Sequence, residues 1–389
     1  MAAETGTRTP VLVSSARTPV GRFGKGLAGV AAVDLGATAV AAAVSRAGGL
    51  VPDQVLLGNV VQAGNGQNPA RVAATRAGLG LGVPAITLND VCLASMSAAG
   101  LAATLIRAGE IETAVVGGFE SMSRALHGVQ VRAAGKVGDG AMVDLLVHDG
   151  LWCALSERGM GELSDATNDA LGIDRVTQDE LALASHQRAH AATTGGRLAE
   201  EIVPVAGVDL LTDEGIRPAT TPAGLAALAP AFRPGGTITA GNASQLSDAG
   251  AAGVVTTLDL ARAHGLEPLV EIVGRAVIAG PDPTLHLRPA DAARVLLKRN
   301  GLTVADIGLW EINEAFAGVV VASMRDLGLD PARINVNGGA IALGHPLGAT
   351  GFRMVATLAR EMRRTGVSHG VAAICGGGGQ GQAILLRLV

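Results

Sequence analysis

Along this chain, short apolar runs alternate with longer segments whose apolar residues recur every three or four positions. The runs at 10–14, 54–61, 85–89 and 113–118 have the length of strands, and the Ala-rich stretches at 33–46, 69–77 and 92–108 carry a helical period. Strand–helix alternation of this kind predicts an α/β fold with a mostly parallel sheet covered by helices on both faces.

The last third repeats the programme. Residues 269–279 echo the opening run, 307–313 echo 54–61, Ile334-Asn-Val-Asn337 echoes Ile86-Thr-Leu-Asn89, and 371–378 echo 115–120. The order is kept at an offset of about 250 residues, too long for a solenoid period and suited to a duplicated domain. Between the halves, 121–239 breaks the pattern with Gly- and Arg-bearing loops, one firm helix at 177–193 and a Pro/Gly-rich stretch at 217–236. A long insertion between two α/β halves is where a substrate-gripping region is usually built.

Composition narrows the class. The 389 residues suit two or three domains, and 48% hydrophobic against 16% charged residues is a globular balance. With aromatics at 2% and no Tyr, the core must be built from Ala, Val, Leu and Ile. A net charge of −4 leaves no global basic field for nucleic acid or an anionic membrane. The first ten residues lack an apolar signal core, and no apolar run reaches the ~18 residues of a spanning helix. Three Cys without CxxC spacing make neither a disulfide framework nor a zinc site. The expectation is a reduced, cytoplasmic enzyme without a metal.

Two glycine-dense segments carry the chemistry: Gly-Gly-Ala-Ile-Ala-Leu-Gly-His345-Pro-Leu-Gly and Ile-Cys375-Gly-Gly-Gly-Gly-Gln-Gly. Pro346 holds the His345 backbone extended, and the flanking glycines let another group approach the ring, which suits a general base or oxyanion donor. Cys375 ends a strand in a turn that exposes N–H groups. A phosphate loop is the alternative there, but no Lys-Ser/Thr follows. Cys92 falls where a strand runs into a helix. It reads either as a nucleophile whose thiolate the helix N-terminus favours or as a small buried hydrophobe. Asn313, at a strand end, is an ordinary N-cap or a holder of water and oxyanion. Cys153 has no such framing and reads as structural, and His127, His148 and His286 as surface or pocket-wall residues.

Together these segments resemble the thiolase family, in particular its biosynthetic acetyl-CoA acetyltransferases, nearly end to end. Ala16-Arg-Thr-Pro-Val-Gly, Gly58-Asn-Val-Val-Gln-Ala-Gly, Gly66-Gln-Asn-Pro-Ala-Arg, Gly117-Gly-Phe-Glu-Ser-Met-Ser, Thr239-Ala-Gly-Asn-Ala-Ser and Ile312-Asn-Glu-Ala-Phe-Ala carry the likeness beside the His345 and Cys375 motifs. The resemblance implies two βαβαβαββ halves in five layers (α/β/α/β/α) with an inserted loop domain. The first half would be 1–121 completed by 240–265, the loop domain 122–239, and the second half 266–389.

By the same resemblance Cys92 is the acyl-accepting nucleophile, and His345 promotes its thiolate. Asn313 holds a water that, with His345, polarises the second thioester. Cys375 exchanges the α-proton, and the N–H groups of Cys92 and Gly377 form an oxyanion hole. Coenzyme A would lie along Arg217, Ala243 and Ser244, with Leu151, Met160 and Phe316 lining a tunnel. Arg124, Arg132 and Lys136 are candidate phosphate contacts or plain solvated surface.

The implied reaction joins two acetyl-CoA into acetoacetyl-CoA plus CoA, in a homo-oligomer (dimer or tetramer) with no cofactor beyond the CoA thioesters. The rivals are a broader-range 3-ketoacyl-CoA thiolase, a decarboxylating ketoacyl synthase, and a catalytically idle CoA-binding subunit. Leu93-Ala94-Ser95, Gly159, Gln245 and the segment His286-Leu-Arg-Pro289 depart from the family pattern, and all four lie around the pocket.

Overall fold

The computed structural model describes residues 8–132 and 139–389. Its first half runs β1 (Pro10–Arg17), β2 (Gly21–Arg22), α1 (Ala32–Arg46), β3 (Gln54–Gly58), α2 (Pro69–Arg76), β4 (Ala85–Leu88), α3 (Ala94–Ala108) and β5 (Thr113–Ser121). An excursion follows, with two short ribbons, β6 (His127–Gly128) with β7 (Val143–Asp144) and β8 (Trp152–Cys153) with β9 (Arg158–Gly159). It also carries α4 (Met160–Ala170), α5 (Arg175–Thr194) and α6 (Pro222–Ala226). The chain re-enters the sheet at β10 (Ser247–Thr257) and continues through α7 (Leu258–Ala263), β11 (Val270–Ala279), α8 (Arg288–Arg299), β12 (Leu309–Ile312), α9 (Ala317–Leu327), α10 (Ala340–Leu343), α11 (Leu347–Thr365), β13 (His369–Gly376) and β14 (Gln380–Arg387).

The strands form one sheet in the order β12-β13-β14-β11-β1-β10-β5-β3-β4, with β2 beside β10. The two halves meet at β1 and β11 through Val11–Glu271 and Leu12–Val270. Duplication is visible in the register as well as the order. The β1–β10 ladder slips between Leu12 and Ser14, and the β11–β14 ladder slips between Ile272 and Gly274, so Val13 and Val273 are matching bulges.

Alternation along the strands sorts side chains into five layers. Val115 and Phe119 face outward onto α1 and α2, while Ala114 and Val116 face inward. In the second half Val371 and Ala373 face α8 and α9, while Ala372 and Ile374 face inward. The inward faces of both halves close on the same two helices, α3 and α11. Segment 91–108 is apolar enough by length and composition to cross a membrane, contrary to the reading of the sequence. Its helix is mostly buried in this middle layer, and that packing is what its apolarity serves.

The sheet is mixed rather than mostly parallel. Among the strands of the described residues, only β3–β4, β3–β5 and β12–β13 pair in parallel. The antiparallel pairs arise because β13 turns directly into β14, and because β10 returns beside β5 after the long excursion. Residues 334–337 do not form the expected strand. A single bridge joins Ile334 to Trp310, and Asn335 then imitates a strand with its side chain. Its Oδ1 accepts from the Ile312 N–H and its Nδ2 donates to the Ile312 carbonyl. Helix α4 went unread because its core contacts are polar: Asp165 accepts from the N–H groups of Thr237 and Ile238.

Candidate active site

Glycines let the two halves close on each other at the site. A Cβ on Gly118 would lie 2.0 Å from the Gly348 carbonyl, and one on Gly348 would lie 2.6 Å from the Phe119 carbonyl. The first turn of α11 therefore rests directly on the end of β5. Glu120, fully buried, fixes that contact. Its carboxylate accepts from the N–H groups of Gly348, Val60 and Val61 and from Asn59 Nδ2. Glu120 lies in a segment that carries the family likeness, but its role as a clamp on α11 became visible only in three dimensions.

With α11 so placed, His345 Nε2 lies 3.3 Å from Cys92 Sγ and 3.4 Å from Asn313 Nδ2. The other ring nitrogen, Nδ1, lies 2.8 Å from the Thr350 hydroxyl, which is 2.9 Å from the Pro346 carbonyl. A hydroxyl has one proton to give. Donated to Pro346, it leaves Thr350 Oγ1 to accept from Nδ1–H, so the neutral ring presents a lone pair at Nε2. Asn313 Oδ1 is buried without a protein partner, free to accept from an incoming group. Asn313 ends on the strand beside Cys375, its N–H bonded to the Ala373 carbonyl.

Cys92 sits in the turn before α3 and just outside its first turn, because the helix begins at Ala94. The expected lowering of its thiol does not occur in the free chain. Burial pushes it up to about 12, against the pull of the Cys92 and Gly377 N–H groups and assisted by Asp90 and Glu120. Burial also raises the Cys375 thiol, with Cys92 adding to the effect. His345 is pushed down to about 3 by burial and by the nearby Arg353 guanidinium. The resting pair is thus a thiol beside a neutral imidazole. The N–H groups of Cys92 and Gly377 converge on the Cys92 sulfur, where they favour its thiolate against the cost of burial.

Cys92, His345, Cys375 and Gly377 line one small chamber of about 60 Å³, closed by Leu151, Met160, Leu285 and Phe316. Leu151, Met160, Ser244 and Phe316 also line a wider cleft of about 580 Å³ that carries Arg217, Ala243 and Gln245. All six residues expected along coenzyme A therefore border one continuous path. Ala243 bridges to Phe316, and Ser244 N–H donates to the Ala315 carbonyl, which ties the cleft floor to the Asn313 loop. Arg124 and Arg132 are exposed and do not line the cleft, and Lys136 lies outside the described residues.

The family model for the thiolase N-terminal domain matches residues 10–259, and that for the thiolase C-terminal domain matches residues 266–388. The chain belongs to the thiolase family. Among similar proteins, a probable acetyl-CoA acetyltransferase of Mycobacterium leprae is 47% identical, covering 98% of this chain and all of that one. An acetyl-CoA acetyltransferase of Cupriavidus necator is 44% identical over 97% of this chain and 98% of that one. One from Escherichia coli is 42% identical with the same coverage.

Within this thiolase, sequence reasoning missed four residues at the site. Arg22 and Phe23 line the cleft, and Arg22 lies near enough to Arg217 to depress its basicity alongside burial. Phe232 covers Phe316 edge-on at 5.9 Å and packs on Gly161, where a Cβ would collide with its ring. Thr350 is the fourth. The family-matching run Ala16-Arg-Thr-Pro-Val-Gly stops one residue short of Arg22, and the paired arginines were the available signal for an anion. Of the departures, Leu93 packs on Gly376, and Gly159 lines the cleft. His286 bonds to Asn168 in the core and lines neither the chamber nor the cleft. Cys153 is buried in its ribbon.

Proposed function

We propose that this chain is an acetyl-CoA C-acetyltransferase that joins two acetyl-CoA into acetoacetyl-CoA and CoA, reversibly, through an acetyl-cysteine. The observation that carries the reading is the placing of Cys92 Sγ, His345 Nε2, Cys375 and the Gly377 N–H around one chamber. Relatives that match nearly end to end and bear that activity's name support it.

In the first half-reaction Cys92 Sγ attacks the thioester carbon while His345 Nε2 takes its proton. Both groups rest neutral, so the proton moves as the S–C bond forms rather than beforehand. The carbonyl electrons collect on oxygen between the N–H groups of Cys92 and Gly377, donors worth roughly 3 kcal/mol apiece. When the tetrahedral species collapses, the C–S bond to CoA breaks and Cys375 gives its proton to the departing sulfur. The Cys375 thiolate then removes an α-proton from the second acetyl-CoA, whose enolate oxygen is held by His345–H⁺ and a water on Asn313. The carbanion attacks the acetyl carbon, Cys92 leaves as thiolate, and His345 returns its proton. Every step is a proton transfer or a thiolate displacement, so the scheme calls for no metal.

The chamber volume supports a short acyl group. At about 60 Å³ against about 580 Å³ in the cleft, the chamber is the narrow end of the path. This favours acetyl transfer over the broader-range thiolase. The arginines at the cleft, Arg22 and Arg217, suit the phosphates of CoA. The excursion between β5 and β10 supplies Leu151, Met160, Arg217 and Phe232 to the walls, which fits a loop domain that binds CoA. Cytoplasmic location, read from the cysteine usage, and a homo-oligomer, read from family likeness, are part of the proposal.

Intact-mass measurement after incubation with acetyl-CoA tests the reading. A gain of about 42 Da, abolished in Cys92→Ser, is expected of an acetyl-cysteine. An unmodified wild-type chain would instead favour the idle CoA-binding subunit. Thiolysis of acetoacetyl-CoA but not of a long-chain 3-ketoacyl-CoA is expected; equal rates would favour the broader enzyme.

A further inference from the structure

Gln245 stands where the wide cleft meets the loop that delivers His345, and its contacts reach both. The side-chain amide Nε2 donates to the Gly215 carbonyl at 3.0 Å and the Ile341 carbonyl at 2.9 Å, with the Ala342 carbonyl at 3.4 Å. Its Oε1 accepts from the Arg217 guanidinium at 3.4 Å. Its backbone carbonyl accepts from the His345 N–H at 3.0 Å and from the Ser247 hydroxyl at 2.7 Å. One residue therefore touches the Arg217 segment of the cleft, α10 and the backbone of His345.

The surroundings leave little slack. A Cβ on Gly215 would fall 2.6 Å from the Ala342 carbonyl and 2.8 Å from Gln245 Nε2. Gly344, at φ 114°, would drive a Cβ to 2.2 Å from the Ser247 hydroxyl. The loop is thus wrapped closely around residues 245–247. The three carbonyls of Gly215, Ile341 and Ala342 all point at one N–H₂ group, which has two protons to share among them.

We propose that Gln245 is a positioning residue: it couples the arginine end of the cleft to the placement of His345 against Cys92. The inference rests on the acyl-transfer reading of the site. Gln245 touches no reacting atom. It joins the 215–217 segment to α10, and so an acyl-CoA that engages Arg217 meets an imidazole already set for Cys92. Gln fits this post because its neutral amide offers a donor pair to the carbonyls and an acceptor to the guanidinium, at a side-chain length that reaches both.

Two substitutions separate this role from simple cleft binding. Q245E keeps size and the acceptor for Arg217 but turns acceptor against three carbonyls. Q245M keeps approximate volume and removes every side-chain hydrogen bond, so it reports even if the charged variant does not fold. The readouts are kcat and KM for acetyl-CoA, and the rate of Cys92 alkylation by iodoacetamide across neutral to alkaline pH without substrate. Asp90, Glu120 and Cys375 face the same thiol and Arg353 faces His345, but none of them changes.

Expected is a fall in kcat of about tenfold or more in each variant, with alkylation slowed about fivefold and the Q245E KM within threefold of wild type. Variants that alter KM alone, with kcat and alkylation within twofold of wild type, would overturn the coupling. The alkylation arm needs no turnover. A wild-type chain that forms no acetyl-enzyme therefore counts against the acyl-transfer reading, whereas wild-type-like variants of an active enzyme count against Gln245 alone.

Discussion

Cys92 and His345 hold the same post in the two halves. Each stands two residues before its helix of the middle layer, α3 beginning at Ala94 and α11 at Leu347, and Sγ and Nε2 meet at 3.3 Å. The nucleophile and its base are thus matching positions of a duplicated plan, brought face to face by the pairing of the halves. Their partners diverge: Asp90 and Glu120 act on the thiol, whereas Thr350, Asn313 and Arg353 act on the ring.

The free enzyme should carry a protonated Cys92. A thiol pushed up to about 12 yields more thiolate as pH climbs, so iodoacetamide alkylation should rise about tenfold per unit above neutrality, without a plateau below pH 9. His345, pushed down to about 3, adds no acid shoulder near neutrality. A plateau between pH 6 and 8 would mean that the pair rests as thiolate and imidazolium instead.

Thr350→Val keeps the shape and removes the hydroxyl that orders His345. With Nδ1–H left unpaired, the ring loses both its orientation and its preferred tautomer. We expect kcat to fall roughly ten- to a hundredfold with KM nearly unchanged, because Thr350 orders His345 but lines neither the chamber nor the cleft. Steady-state kinetics with acetoacetyl-CoA and CoA decides this, and a change confined to KM would contradict it.

Arg22→Ala should weaken CoA binding and spare the chemistry. Arg22 is exposed at the cleft and holds no catalytic group in place. The expected result is a rise in KM for acetyl-CoA of about fivefold at low salt, shrinking at high salt, with kcat held. Salt-independent loss would assign the residue to the fold.

His286 is a stability probe that lines neither the chamber nor the cleft. It bonds to Asn168 through Nε2, its Nδ1 is buried without a partner, and burial lowers it to about 4 from an ordinary 6.5. The unfolded chain therefore takes up a proton at higher pH than the native one. The His286 contribution is complete above pH 6.5 and is lost as pH falls toward 4, in all about 3 kcal/mol. His286→Gln, which keeps a donor for Asn168 but cannot titrate, should flatten that part of the stability curve in denaturant titrations from pH 7 to pH 4.

The halves and their order were legible in the chain because the strand and helix periods recur with matching landmarks. Cys92, His345 and Cys375 were legible as candidates because glycine or a strand-to-helix junction frames each of them. Strand direction was not. It depends on which neighbour β10 chooses after an excursion of more than a hundred residues, and no local pattern encodes that. Thr350, Glu120 and Gln245 were hidden for a related reason. Thr350 looks like any helical threonine, Glu120 grips backbone on α11 more than two hundred positions away, and Gln245 reads only as a departure from a family pattern. Asn335 marks the opposite failure: a strand-like run whose pairing its side chain performs.

The helices α3 and α11 are held in common by both half-sheets, so neither half owns a finished interior. A fragment ending before β11 would expose the inward face of its sheet, and the complementary fragment would do the same. Activity and solubility should therefore be all-or-nothing properties of the joined pair: separately produced halves would be inert and sticky, regaining reactivity toward acetyl-CoA only on reassociation. Calorimetry of the intact chain should accordingly register one melting event in place of two.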